Sequence, residues 1–337
     1  MPKVSIIIPN YNHAPFLEQR IKSVLNQTYQ DFEVIYLDDA STDDSNLIFS
    51  TFANSQRIKG FFNEKNSGNT FKQWNRGVRL AKGEYIWLAE SDDYAHEDFL
   101  AKLVNKLDEN PSVGLAYCHS PFADEHCNIE DWALGERWKQ DFINNGRNEC
   151  SQYLIFRNTI PNASAVLIRR AAYEKAGYAD EDMEFCGDWM MWVKILLNSD
   201  LGFIAEPLNY YRRHSGTVSS RFNKSLVFVE ERYRVMLFIK QRLIIPEAVL
   251  GAACESAMYL WMDNQLSSSG MKNWKRVLKV YELANRVDPR LKSRLAKVLI
   301  IRLLQGIRLY SPVATLAKRM VSMLSFPSRN SRKTPIQ

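Results

Sequence analysis

The first 120 residues alternate between short apolar runs and amphipathic helical patterns, and this alternation limits the possible folds more than any other feature. The runs VSIIIP, FEVIYLDD, YIWLA and VGLAYCH are typical of buried strands, and helical patterns separate them. The first helical pattern, over residues 15–26, places four apolar residues on one side: Leu17, Ile21, Val24 and Leu25. Apolar strands joined by helices predict an α/β fold with a mostly parallel sheet covered on both faces.

The pattern changes twice further along the chain. Residues 121–160 are irregular and Asn-rich, which predicts loops and insertions; a strand at SAVLIRR, a helix at DWMMWVKILLNS and a strand pair around Pro207 follow. Beyond about residue 220 only helical segments are recognisable. The sequence therefore predicts an α/β domain over 1–220, a helical region over 221–325 and a disordered basic tail over 326–337.

Composition excludes several classes of protein. The 337 residues are 46% hydrophobic, enough for a substantial core. No window of about 18 uncharged apolar residues occurs, and the N-terminus begins with a strand-like run instead of a signal-type segment, so we expect a cytoplasmic protein. The five cysteines form no CxxC pair, which favours reduced thiols over disulfides or a zinc site.

The net charge of +6 is unevenly distributed. From Pro289 to Gln337 there are eleven Lys and Arg and no acid, so the preceding residues carry 33 basic and 38 acidic groups. Such a basic segment, mixed with Leu, Ile and Val, suits a helix on an anionic membrane surface, at the inner face of the cytoplasmic membrane. A helical hairpin packed on the α/β domain remains the alternative, and nucleic acid is disfavoured because no binding module is recognisable.

Polar clusters follow three of the predicted strands. They are Asn10 to Asn12, Asp38 to Ser41, and Glu90 to Asp93. Because ligands of parallel sheets bind beyond the carboxyl ends of the strands, these clusters should converge at one edge. Carboxylates that converge need a cation between them, and Mg²⁺ or Mn²⁺ is the simplest. A turn or helix cap would explain either acidic pair alone.

Phosphate-binding motifs of other kinds are absent from the sequence. No GxGxxG follows the first strand, and GxxxxGK[ST] does not occur. If a nucleotide binds, a metal ion must therefore do much of the phosphate binding.

An ordered series of motifs resembles glycosyltransferase family 2, whose members have the GT-A fold and use nucleotide sugars. The series is VSIIIPNYN, NQTYQDFEVIYLDDASTDDS, NSGN, WNRGVRLAKGEYIWLAESDD and GDWMMW, and it covers residues 1 to about 220. The resemblance implies that Asp39 recognises the nucleotide base and that Pro9 and Tyr11 line the nucleoside pocket.

The ESDD element corresponds to the family's DxD-like motif. The resemblance implies that Asp93 ligates the metal ion on the diphosphate and that Asp92 supports it or holds the ribose. Glu90 stands where an Asp is usual. An ion held there would offset the negative charge that grows on the leaving diphosphate.

The reaction also needs a base that removes the proton of the acceptor hydroxyl. Asp188 follows Gly187 and opens a predicted helix, so an ordinary helix cap is one interpretation. The resemblance matches Asp188 to the catalytic base of inverting members. A single base opposite the leaving group predicts inversion at the anomeric carbon.

Several weaker candidates leave two interpretations open. His214, in YYRRHSG, is a metal or diphosphate ligand or an ordinary polar residue. Arg76 and Asn66 contact the nucleotide, or they are a helix-surface arginine and a turn asparagine. Trp189 and Trp192 form an acceptor platform or pack in the core.

We therefore predict an inverting, metal-dependent hexosyltransferase that moves sugar from a nucleotide diphosphate sugar to a glycan or lipid-linked acceptor in bacterial surface polysaccharide synthesis. A nucleotidyltransferase would need a Gly-rich basic loop after the first strand, and PNYNHAPF has neither glycine nor Lys or Arg. A non-catalytic sugar or nucleotide binder is the third alternative, and the presence of both Asp188 and ESDD disfavours it.

Overall fold

The computed structural model describes residues 1–130, 135–160, 162–214, 225–265 and 274–306. The strands are β1 (Val4–Asn10), β2 (Phe32–Asp38), β3 (Ile58–Phe62), β4 (Tyr85–Leu88), β5 (Tyr94–Ala95), β6 (Val113–His119), β7 (Phe122–Ala123), β8 (Ile129–Glu130), β9 (Phe142–Asn144), β10 (Val166–Arg169), β11 (Asp200–Pro207) and β12 (Asn209–Arg212). The helices are α1 (Ala14–Leu25), α2 (Ser45–Ser50), α3 (Thr70–Leu80), α4 (Phe99–Asp108), α5 (Gly146–Glu149), α6 (Arg170–Lys175), α7 (Gly187–Leu196), α8 (Leu226–Lys240), α9 (Glu247–Gln265), α10 (Trp274–Val287) and α11 (Leu291–Gly306).

Eight strands form a large central sheet in the order β3-β2-β1-β4-β10-β6-β11-β9. The pairs β1–β2, β1–β4, β2–β3 and β6–β11 are parallel, whereas β10 runs antiparallel between β4 and β6, and β9 runs antiparallel to β11. The predicted α/β class with a mostly parallel central sheet is confirmed.

Two hydrophobic cores cover the two faces of this sheet. Ile6 and Ile8 of β1 belong to the core beneath α1, whereas Ile7 belongs to the core beneath α3, because successive strand residues face opposite sides. The predicted α1 stripe packs against the first core: Leu17, Ile21 and Val24 are fully buried there, and Leu25 is partly buried beside them. The amphipathic pattern thus located the buried side of α1 correctly.

The described residues within 121–160 are more regular than predicted. The segment contains β7, β8, β9, α5 and a π-helical turn at Cys150–Leu154. Its polar residues surround the fully buried carboxylate of Glu149, which pairs with Arg137 and accepts hydrogen bonds from Asn144 (2.7 Å) and Thr159 (2.9 Å). The prediction of loops was wrong here because side chains typical of loops serve one buried charge.

A second, smaller sheet has the order β5-β12-β7-β8. The predicted strand pair around Pro207 is split between the two sheets: β11 joins the large sheet beside β6, and β12 joins the small sheet. β5 begins one residue after Asp93 and pairs antiparallel with β12. The small sheet therefore brings the residues that follow β12 to the end of β4.

The C-terminal helices pack on the α/β part instead of standing apart from it. Val229 and Tyr233 of α8 belong to the same hydrophobic core as Trp189 and Trp192 of α7. The division at residue 220 stays a prediction, since it falls outside the described residues, as does the tail at 326–337. Within the described ranges, none of the helices combines the length and the hydropathy needed to cross a membrane.

Candidate active site

The ends of β1 and β2 lie side by side and are joined by polar side chains. Asn10 is paired in register with Asp38, and its Nδ2 donates to Asp38 Oδ2 at 3.0 Å and to Ser41 Oγ at 3.1 Å. Asp38 is 1% exposed and also accepts from Tyr36 Oη and the Ser41 backbone. All of these contacts hold the loop in place, so Asp38 is a structural residue.

Asp39 sits in a cradle of donors at the same edge. It accepts hydrogen bonds from Asn63 Nδ2 (2.6 Å), Gln73 Nε2 (2.9 Å), and the backbone and hydroxyl of Ser67 (2.9 and 2.7 Å). The next residue, Ala40, has φ +62°, which turns the chain sharply after Asp39. The Asp39 carboxylate, which the resemblance implies recognises the nucleotide base, is thus rigidly held.

The other predicted nucleotide residues surround this cradle at different depths. Pro9 is buried in β1, whereas Tyr11 is 45% exposed on the following loop. Arg76 on α3 donates to Asn63 Oδ1, and so supports a residue that contacts Asp39. Asn66 Oδ1 accepts from Gly68 N at 2.5 Å, where Gly68 has φ +72°, so the geometry favours the turn interpretation of Asn66.

The acidic loop after β4 divides its three carboxylates among different partners. Glu90 Oε1 accepts a 2.7 Å hydrogen bond from Trp74 Nε1, and its backbone N–H donates to Ser164 Oγ. Burial, followed by the nearby charge of Asp92, raises the pKa of Glu90 to about 8. The Glu90 side chain therefore points toward α3.

Asp93 points into the protein and is 2% exposed. Its Oδ1 accepts from the Arg212 backbone N–H at 2.8 Å, and its Oδ2 accepts from Asn162 Nδ2 at 3.1 Å. Burial and the charge of Asp92 raise its pKa to about 6. Both oxygens of the predicted metal ligand are therefore engaged by protein donors that join three separate segments of the chain.

The Asp92 carboxylate lies beside two histidines, His13 and His214. Its Oδ2 lies 3.1 Å from His214 Nε2, and one ligand atom each from His13, Asp92 and His214 lies within 4.8 Å of the others. His13 Nδ1 lies 2.8 Å from Ser91 Oγ, which orients the imidazole. The structure thus brings His214 to Asp92 and not to Asp93.

Two buried arginines lie behind the three carboxylates. Arg20 is fully buried, and its Nε donates to the Glu90 carbonyl at 2.8 Å. Arg212 Nε donates to the Asp92 carbonyl at 2.8 Å. Although burial opposes ionisation, hydrogen bonding to His214 holds the pKa of Asp92 below its usual range. Two arginine side chains thus support the backbone of this loop from the protein interior.

Asp188 is the second residue of α7. Its Oδ2 accepts from Asn158 Nδ2 at 2.9 Å, and its Oδ1 accepts from the Trp189 backbone N–H at 2.6 Å. Burial raises the pKa of Asp188 to about 7, and the charge of Glu231 adds to the increase. A carboxylate with this pKa can accept a proton near neutral pH.

Aromatic side chains connect Asp188 to the acidic loop. The Trp74 and Trp192 ring centroids are 6.3 Å apart, and Trp74 also donates to Glu90. Gly187 lies against the Phe71 ring, and a Cβ at this position would be 2.3 Å from Phe71 Cε2. The glycine before Asp188 is thus required by close packing between α3 and α7.

The tryptophans of α7 are core residues. Trp189 is 3% exposed and donates to the Leu154 carbonyl at 3.0 Å, and Trp192 is fully buried. Neither ring is available as a platform for an acceptor sugar, so the packing interpretation is the correct one.

The comparisons with known proteins agree with this arrangement. A sequence model described as Glycosyl transferase family 2 matches residues 5–175, just over half of the 337 residues. The chain belongs to glycosyl transferase family 2. The predicted family and the predicted class of enzyme, a glycosyltransferase, are confirmed.

Two relatives illustrate the range of similarity within this family. The chain is 25% identical over 289 residues to glycosyltransferase GlyG of Streptococcus pneumoniae serotype 4 (strain TIGR4), which is 84% of this chain and 91% of the relative. An uncharacterized glycosyltransferase of Haemophilus influenzae is 39% identical over 131 residues, covering 39% of this chain and 50% of that protein.

Two solved structures share the fold of this chain. The crystal structure of S. aureus TarS 1-349 in complex with UDP-GlcNAc has a TM-score of 0.62 at 19% identity, covering 87% of this chain and 84% of that one. The mannosyltransferase PcManGT from Pyrobaculum calidifontis in complex with GDP-Man and Mn²⁺ has a TM-score of 0.55 at 17% identity, covering 96% and 85%. The predicted GT-A architecture is confirmed.

Several residues of the site were not identified from the sequence. They are His13 just before α1, Arg20 on α1, Asn158 in the segment predicted as loops and Glu231 on α8. Each lies far along the chain from the motif that it contacts. One signal was available: PNYNHAPF places His13 directly after a strand-end cluster. The others carry no local pattern that separates them from ordinary helix or loop residues.

Proposed function

We propose that this family 2 enzyme is an inverting, metal-dependent hexosyltransferase that moves a sugar from a nucleotide diphosphate donor to an acceptor hydroxyl. One observation carries the proposal: His13, Asp92 and His214 form a ligand group at the strand edge that also holds Asp39. Asp188 supplies a base on a helix that packs against the same loop through Trp74.

The residues fit a divalent cation. Ligand atoms no more than 4.8 Å apart are close to the spacing of about 4.2 Å that opposite ligands of an octahedral ion require. Burial lowers the pKa of His13, so its imidazole is neutral and able to donate an electron pair. Two imidazoles with one carboxylate favour Mn²⁺ over Mg²⁺, because Mg²⁺ prefers oxygen ligands.

Asp92, His214 and His13 would hold this ion, which offsets negative charge on the diphosphate when bound. Asp93 positions Asp92 from beneath, through the Arg212 backbone and Asn162. The loop therefore separates two roles: Asp92 faces the donor, and Asp93 fixes the backbone that carries it.

Asp188 would accept the proton of the acceptor hydroxyl. As the acceptor oxygen forms its bond to the anomeric carbon, the bond from that carbon to the diphosphate breaks, and the diphosphate keeps the electron pair. Asn158 and the Trp189 N–H hold the carboxylate oxygens in fixed directions during this step. Attack from the side opposite the leaving group inverts the anomeric centre.

The nucleoside would bind between Asp39 and the loop that carries Pro9 and Tyr11. Tyr11 is exposed and able to cover a base, while Asp39 is held by Asn63, Ser67 and Gln73. TarS and PcManGT are in complex with UDP-GlcNAc and GDP-Man respectively, which makes UDP- and GDP-linked hexoses the first donors to test.

We place the acceptor among glycans or lipid-linked saccharides of a bacterial surface polysaccharide, with the enzyme at the inner face of the cytoplasmic membrane. Support comes from α10, where Trp274 (63% exposed) and Leu278 (49% exposed) stand beside the exposed Lys275 and Lys279. The acid-free sequence from Pro289 onward adds positive charge. Cosedimentation with phosphatidylglycerol vesicles, but not with phosphatidylcholine vesicles, is the expected result, and equal binding to both contradicts it.

The experiment that tests the proposal is a donor panel assayed with Mn²⁺ and after chelation by EDTA. UDP-GlcNAc, UDP-glucose, UDP-galactose and GDP-mannose are incubated with enzyme and a panel of saccharide acceptors, and NMR of the product reports the anomeric configuration. Turnover of one donor that requires metal and inverts the anomer is expected. Metal-independent turnover or retention of configuration contradicts the proposal.

A further inference from the structure

One carboxylate of the C-terminal helical region accepts three hydrogen bonds from the chain that leads into α7. Glu231 Oε1 accepts from the Glu184 backbone N–H at 2.6 Å, and Oε2 accepts from those of Phe185 (2.8 Å) and Cys186 (2.7 Å). Glu231 is 2% exposed. These donors are three consecutive residues, and the last of them is two residues before Asp188.

The three hydrogen bonds to Glu231 restrict the backbone that donates them. Burying a carboxylate is costly unless donors replace its hydration, and hydrogen bonds to a charged acceptor are about twice as strong as neutral ones. Three consecutive N–H groups that converge on one carboxylate fix the backbone of all three residues. They also fix the direction in which α7 begins, because Cys186 is the residue immediately before this helix.

From this geometry we infer that Glu231 is a positioning residue for Asp188. Helix α8 would then help to hold the proposed base in place. The inference rests on the proposed function, since it requires Asp188 to be the base. Asp188 contacts Asn158 on one side, and the Glu231 contacts end at Cys186 on the other. The two supports together define where the Asp188 carboxylate lies.

Glu231 also acts on Asp188 through its charge. It raises the pKa of Asp188, after the larger effect of burial. The ionisable groups around Glu231 and Asp188 include the Cys186 thiol before α7 and two arginines of α8, Arg232 and Arg234. Removing the Glu231 charge should therefore move the Asp188 pKa downward, a shift that loss of packing alone does not predict.

The adjacent residue provides a matched control. Glu230 lies on the same helix and is similarly buried, but its carboxylate pairs with Arg276 (3.2 Å) and Lys279 (2.6 Å) of α10. Glu230→Gln makes the same chemical change one position away, on contacts that lead away from α7. In Glu231→Gln a single carbonyl oxygen remains for the three backbone N–H donors of residues 184–186. The new side-chain NH₂ group would face at least one of these N–H groups.

The test compares Glu231→Gln, Glu231→Asp and Glu230→Gln with the parent in two measurements. Hydrogen–deuterium exchange follows the amides of residues 184–186 and needs no substrate. Exchange in Glu231→Gln should quicken by at least about tenfold, because these amides lose a protecting partner. Steady-state kinetics with the active donor should show kcat lowered by about ten- to a hundredfold, as expected for a misplaced catalytic group.

Two further results are expected. The acidic limb of the pH–rate profile should move to lower pH in Glu231→Gln, while the donor KM stays within about twofold of the parent value. Glu231→Asp keeps the charge and should recover part of kcat. If Glu231→Gln does not fold, Glu231→Asp alone tests the inference. Compared with the parent, Glu231→Asp should then show faster amide exchange at 184–186 and a lower kcat.

Unchanged exchange and kcat in the Glu231 variants would overturn the inference, as would an equal loss of kcat in Glu230→Gln. Asp188→Asn separates this failure from that of the proposed function. If Asp188→Asn keeps full activity, the base assignment fails and the role of Glu231 fails with it. If Asp188→Asn is inactive and the Glu231 variants are normal, only the inference about Glu231 fails.

Discussion

His214 Nε2 lies 3.1 Å from Asp92 Oδ2, although 122 positions separate the two residues in the sequence. The pairing of β5 with β12 creates this contact, because β5 follows the acidic loop and β12 precedes His214. Both side chains are largely buried, at 8% and 14% exposed. The small sheet therefore assembles a histidine–aspartate pair that neither segment could form alone.

Loss of this pair should weaken metal binding and turnover together. Asp92→Asn removes the carboxylate and is expected to lower kcat/KM at least about 100-fold. His214→Ala removes one neutral ligand and should lower Mn²⁺ affinity about 10–100-fold. Mn²⁺ affinity is measured by electron paramagnetic resonance. His126→Ala, at an exposed histidine, is the control, and an equal effect there would rule out a specific site.

Asp93 should behave as a structural residue. Asp93→Asn places an amide NH₂ against the Arg212 N–H or the Asn162 amide, and leaves a buried donor unpaired. We expect about 2–4 kcal/mol loss in the free energy of unfolding, measured by urea denaturation. Asp141→Asn, a half-exposed partner of Lys106, is the control and should cost much less. A stable Asp93→Asn protein that fails to bind Mn²⁺ would return Asp93 to the ligand set.

The pKa of Asp188, about 7, predicts the pH dependence of activity. The base must be ionised to accept a proton, so kcat/KM should rise with pH and reach half its maximum near pH 7. Mn²⁺ is kept saturating at each pH, so that metal occupancy does not contribute. A profile that is flat between pH 5.5 and 8 would show that another group is the base.

The same pKa predicts an effect on stability. Because the folded-state pKa lies above the ordinary value of 3.8, the folded protein binds the proton more tightly than the unfolded chain does. The stability of the parent should therefore fall, relative to that of Asp188→Asn, as pH rises from about 4 to 7. Between pH 4 and pH 8 the stability of Asp188→Asn relative to the parent should therefore rise by about 2–4 kcal/mol. Thermal unfolding at both pH values measures it; an equal difference at both contradicts it.

Gly187 should tolerate no side chain. A Cβ there would lie 2.3 Å from Phe71, so Gly187→Ala should cost about 1–3 kcal/mol by overpacking and lower kcat by displacing Asp188. In the double variant Gly187→Ala/Phe71→Leu, part of the lost stability and part of the lost kcat should be restored. Gly135→Ala, whose Cβ would be at an ordinary 3.4 Å from Trp138, is the control. Full activity in Gly187→Ala would contradict the close packing of α3 on α7.

The elements that the sequence predicted well are those with a local signal. The apolar runs of β1, β2, β4 and β6 and the stripe of α1 report their own burial, and strand-end clusters locate Asp39 and Asp92 without any long-range information. Even the position of Asp188 follows from a glycine and an acid at a helix start.

Other parts of the site depend on contacts between distant segments. The different environments of Asp92 and Asp93 are set by Arg212 and Asn162, which reach the loop through the antiparallel β10 and the small sheet. Nothing near residues 92 and 93 encodes which of the two faces inward. For the same reason Glu231, in a helix of ordinary composition, could not be connected with Asp188 from its sequence.

The most direct test of the central claim is a comparison of donor binding and sugar transfer in Asp188→Asn. Binding of the active donor with Mn²⁺ is measured by isothermal titration calorimetry, and transfer is measured by single-turnover kinetics. We predict a Kd within about twofold of the parent value and a transfer rate lower by about 10²–10⁴-fold, as expected when only the base is lost. A transfer rate close to that of the parent would contradict the assignment of Asp188 and the mechanism built on it.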